Sequence, residues 1–155
     1  MTVVRDYGVP ILIGGIAPSP TDDAVAVRSV LASNPVLPAT ATMVNANSGN
    51  QANANAIAAM PAVAGKTNYL TGFMVTAAGS TAGLVVNITI TGLLGGTITL
   101  TFVFPAGVLI GATPIIYSLP FPLPASAPNT AITLTLPAGG LGNTNAAVNI
   151  QGFVV

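Results

Sequence analysis

The chain has 155 residues, of which 52% are hydrophobic and only 4% charged, and its formal net charge is zero. Neutrality removes the basic field that attracts a phosphate backbone, so nucleic acid is not expected as a partner. With no cysteine and no histidine, the chain lacks a disulfide framework, a thiolate nucleophile and the commonest bases and metal ligands.

In chain order, the first candidate is Val9–Ala17, which has the look of the apolar part of a leader peptide. Asp6 stands where such a leader is basic, and Pro10 interrupts the apolar run, so mature protein is expected. Next, Thr21-Asp22-Asp23 precedes Ala24–Leu31 and predicts one short helix. Thr21 can cap the free N–H groups, and the two aspartates favour the positive end of the helix dipole. Val27, Val30 and Leu31 then share a face, and Asn34-Pro35 ends the run. A strand over the valine-rich Ala24–Val30 is the competing reading.

Residues 45–56 are an alternation of Asn and Ala, suited to a polar linker or an extended edge segment. The chain is therefore expected to divide near residue 55. Residues 1–55 would form an extended N-terminal arm and linker, and residues 56–155 a β-domain.

The second part predicts strand after strand. Candidates are Ala54–Met60, Lys66–Thr76, Leu84–Thr91, Thr97–Phe104, Ile115–Phe121, Thr130–Leu136, and a final stretch through Val148, Ile150 and Gly152–Val155. Leu84, Val86, Ile88 and Ile90 point one way, with Val85, Asn87, Thr89 and Thr91 opposite. Ile98, Leu100, Phe102 and Phe104 repeat that pattern against Thr97, Thr99, Thr101 and Val103, across a glycine-rich hairpin at Gly92–Gly96. Gly72 marks a bulge or a close approach. The expected fold class is all-β: an antiparallel β-sandwich, of jelly-roll type, with the helix-bearing arm in front.

A membrane reading fails on pattern. The charge-free stretch from Thr67 to Val155 far exceeds a spanning helix of roughly 20 residues, but glycine and proline break it. With three Tyr, five Phe and no Trp, it also lacks the aromatic girdles of a spanning barrel.

Chemistry is sparse. Asp22 and Asp23, adjacent in a helix, do not face one site, and Lys66 beside Gly65 reads as a solvated charge. Gly139–Asn143 is glycine-rich but lacks the lysine and following helix of a phosphate loop, so it reads as a turn. Asn87-Ile88-Thr89 fits a glycosylation pattern by coincidence of sequence. Tyr7, Tyr69 and Tyr117 could stack on a sugar if exposed. Charges this rare are better used as anchors, so Arg5, Asp6, Tyr7, Asp22, Asp23 and Arg28 are the candidate partner-binding residues. No enzyme activity, cofactor or metal is expected.

The threonine faces carry the functional expectation. Solvated sheets normally hold Lys or Glu that discourage edge-to-edge pairing, and here nothing repels a second copy. Such surfaces suit a subunit of an assembly.

Residues 64–77 (Ala-Gly-Lys-Thr-Asn-Tyr-Leu-Thr-Gly-Phe-Met-Val-Thr-Ala), residues 121–138 and residues 142–148 together resemble small virion proteins of tailed bacteriophages, in particular jelly-roll capsid decoration (cement) proteins. The resemblance spans the β-domain and matches the arm least. It implies a homotrimer on the capsid exterior that binds and stabilises the lattice of the major capsid protein. A receptor- or carbohydrate-binding fibre or spike module is the alternative, and it would require exposed aromatics gathered at one loop end.

Overall fold

The computed structural model describes residues 37–107 and 114–155. The helix expected over Thr21–Leu31 lies outside them. Among the described residues there are eight strands and no helix: β1 (Thr42–Asn47), β2 (Ala56–Met60), β3 (Asn68–Ala78), β4 (Leu84–Thr91), β5 (Ile98–Phe104), β6 (Ile115–Pro124), β7 (Ile132–Leu136) and β8 (Asn145–Val154). They form two four-stranded sheets, sheet I in the order β1-β8-β3-β6 and sheet II in the order β2-β7-β4-β5, with every pairing antiparallel.

Alternation builds the sandwich. Ala56, Ala58 and Met60 of β2, Ile88 and Ile90 of β4, Phe102 and Phe104 of β5, and Ile132, Leu134 and Leu136 of β7 are buried on the inner side of sheet II. Leu70, Phe73 and Val75 of β3, with Ala146, Val148 and Ile150 of β8, meet them from sheet I. Each fully buried aliphatic or aromatic side chain contributes about 1.5–3 kcal/mol, which makes this layer the main source of stability.

Thr42–Asn47, which the sequence reading counted with the arm, is paired along its length with Asn149–Val154. Asn45–Asn47 thus takes the extended-edge alternative, and sheet I begins at Thr42 instead of after residue 55. Val44 and Ala46 turn towards the core, where they are half-buried, and Asn45 and Asn47 face out. The described residues from Ala39 onward form one compact unit.

Three buried polar side chains secure the loops. Asn68 donates to the carbonyls of Pro61 and Thr130, both at 2.9 Å, and so ties the β2–β3 turn to the entry of β7. Ser80 donates to Gly139 O at 2.7 Å, and Asn143 to Ala78 O at 2.9 Å, which fastens the β3–β4 loop to the β7–β8 loop. The glycine-rich segment at Gly139–Asn143 is a turn closed by the Asn143 N–H donating to Gly140 O at 3.2 Å.

The sandwich is asymmetric at its flanks. Edge strands β1 and β2 pack on each other, and β2 packs on β8. No comparable packing joins edge strands β5 and β6 among the described residues.

Candidate interaction surface

Two outer sheet faces are left once the core is filled. On sheet II the register sets side chains in rows: Ile57, Thr135, Thr89 and Thr99 in one, Ala59, Thr133 and Thr91 in the next. Asn87 opposite Thr101, then Val85 opposite Val103, extend the face along β4 and β5. Each threonine presents a methyl and a hydroxyl, which keeps the face hydrated without charge while favouring a strand backbone.

Sheet I is built differently. Its first outer row runs Met43, Phe153, Tyr69, Pro124, its second Asn45, Gln151, Gly72, Ser118, and its third Asn47, Asn149, Met74, Ile116. The register of β3 shifts between Leu70 and Gly72, so the strand carries both a bulge and a residue without a side chain at its centre. An alanine methyl at Gly72 would stand 2.7 Å from Tyr117 O and 2.9 Å from Gln151 Nε2. On the same face lies a recess of about 280 Å³, edged by Asn45, Ser118, Asn149 and Gln151 and by the apolar Met74 and Ile116. Ile116 is 70% exposed there.

Lys66, half-buried in the loop just before β3, bears the one side-chain charge among the described residues. No group of three or more metal-ligating side chains occurs among them. No helix among them is long and apolar enough to cross a membrane.

The aromatics do not gather. Tyr69 stacks on Phe153 on the outer side of sheet I, ring centroids 5.0 Å apart. Tyr117 stacks on Phe73 at 5.5 Å, and the register turns that pair towards the inner side. Phe121, further along β6, is 75% exposed. The candidate contact residues Arg5, Asp6, Tyr7, Asp22, Asp23 and Arg28 all lie outside the described residues. Scarce charges stand out in a sequence, which is why the expected contacts fall there. The recess between Asn45 and Ser118 depends on cross-strand register, which only the pairing of β3 with β6 and β8 reveals.

No known protein family, curated protein or solved structure matches the chain.

Proposed function

We propose that the chain is a structural virion protein, a capsid decoration (cement) protein that binds and stabilises the major capsid protein lattice of a tailed phage. The observation that carries this reading is a sandwich whose two outer faces hold no charge, yet expose Met43, Ile57, Val85, Val103 and Ile116. Surfaces of that kind are stabilised by being covered, at roughly 25 cal/mol per Å² of apolar area, less the cost of association. The action is mechanical: subunits bridged by such contacts resist pressure from within the shell.

The pairing order supports a jelly roll. Pairs β1–β8, β2–β7, β3–β6 and β4–β5 nest inside one another, like a long hairpin rolled across both sheets. In this reading the protein is a homotrimer on the virion exterior, and the N-terminal segment bearing Arg5, Asp6, Tyr7, Asp22, Asp23 and Arg28 reaches onto a capsid subunit.

A second reading, a receptor- or carbohydrate-binding fibre or spike module, draws on the recess edged by the amides of Asn45, Asn149 and Gln151. A pelleting assay separates the two. The purified chain is mixed with shells assembled from the major capsid protein of the same genome. Saturable cosedimentation, with a higher rupture temperature of the shells, is the expected result. A chain that stays in the supernatant at every concentration overturns the decoration reading.

A further inference from the structure

A two-sheet sandwich has four strand edges, and three of these are protected. β6 carries Pro120, Pro122 and Pro124, which have no N–H to offer a new neighbour. β1 and β2 are short and pack on each other at the closed flank. β5 is different. Ile98–Phe104 contains no proline, no charge and no register shift, and it pairs with β4 alone among the described residues. An unguarded edge of this length is a template for another strand.

We propose that β5 pairs antiparallel with β5 of a second copy, about a twofold axis perpendicular to sheet II that passes midway between the two Thr101 residues. An axis of that orientation preserves both faces, so every residue must meet one from its own side of the sheet. Centred on Thr101, the register sets Thr101 against Thr101, Thr99 against Val103, Leu100 against Phe102, and Ile98 against Phe104.

The fit lies in what each pair completes. Ile98 and Leu100 point inward but are only half-buried, because the sandwich is open along the β5 flank. Phe102 and Phe104, at the other end of the strand, are buried. The twofold therefore brings a well-supported ring to each half-covered aliphatic side chain, a favourable type of cross-strand pair. Outside, Val103 is 59% exposed and gains the Thr99 methyl as a neighbour. A partner for this edge needs an uncharged alternating strand, bulky at one inner end. β5 read backwards is such a strand. The proposal is independent of the virion reading.

One strand pair is smaller than a standard interface of about 1,600 Å², so the contact should be weak between free subunits and gain strength when several act together. The chain has no cysteine, which permits a clean crosslinking test. Thr101→Cys should give a covalent dimer under mild oxidation, since directly opposed Cβ atoms lie about 4.5–5.5 Å apart. A mixture of Thr99→Cys with Val103→Cys should crosslink, and Thr99→Cys alone should not. Thr101→Lys sets two like charges opposite each other and should weaken self-association at least tenfold, with the circular dichroism spectrum of the parent retained. Folded Thr101→Cys protein that yields no dimer, or Thr99→Cys that crosslinks to itself as readily as to Val103→Cys, overturns the proposal.

Discussion

Asn143 donates an amide hydrogen to the carbonyl of Ala78 at 2.9 Å, and this single bond joins the β7–β8 turn to the end of β3. Its second amide hydrogen goes to Asn145 O at 3.1 Å, and its Oδ1 accepts from the Asn53 N–H at 3.3 Å. The side chain is 2% exposed. Asn143→Ala takes the amide donor away from two part-buried carbonyls and should cost about 1–3 kcal/mol in a urea titration. Asn143→Asp should cost more, although it is nearly isosteric. Its carboxylate has no hydrogen to give and would face two carbonyl oxygens. An aspartate variant more stable than the alanine one at neutral pH would contradict this account of the loop.

The glycine at the bulge of β3 makes a second, local prediction. The methyl of Gly72→Ala meets Tyr117 O, which is backbone, as well as the movable end of Gln151. β6 must shift away from β3, at a cost of about 1–3 kcal/mol. Hydrogen exchange should locate the damage, with faster exchange in β6 and unchanged protection where β1 meets β8. Gly95→Ala, which has open space around its added methyl, should be silent in the same measurement.

Strands whose residues alternate strongly were legible from sequence, and those that do not were missed or shortened. Ile132–Leu136 and Leu84–Thr91 announce themselves, because an apolar residue at every second position has only one way to bury. β1 does not: Val44 and Ala46 are its sole apolar residues packed on the core, and the asparagines beside them read equally well as a linker. Its strand character comes from β8, whose edge it completes. Likewise the sequence can show that threonines alternate in β4, β5 and β7, but not that Thr135, Thr89 and Thr99 stand in one row. Register is a property of pairs of strands, and a single segment carries only half of it.

Core and surface aromatics of the same type should respond very differently. Phe104 is fully buried, meets Phe102 edge-on with centroids 5.4 Å apart, and lies against the backbone of Gly139. Phe104→Ala should lose about 3–5 kcal/mol. Phe121→Ser, at a position three-quarters exposed, should stay within about 0.5 kcal/mol of the parent. Thermal denaturation of the two variants side by side measures the contrast, and equal losses would place Phe121 in a packed environment that the sandwich does not give it.

The outer face of sheet II offers the sharpest link between surface chemistry and assembly. Thr89 stands between Thr135 and Thr99 in the central row, on a face without charge. Thr89→Val keeps the branched shape and the strand preference while removing one hydroxyl, so folding should survive and so, on the proposed decoration role, should attachment to capsid shells. Thr89→Lys can hold its ammonium in water by extending its stem, so the fold should survive here too. A partner covering that face, however, would have to bury the unpaired charge, a cost large enough to weaken attachment by tenfold or more. Pelleting with shells reads the difference directly. Lysine at position 89 that binds as well as valine would remove sheet II from the contact, and the matching substitution Asn149→Lys would then ask the same question of sheet I.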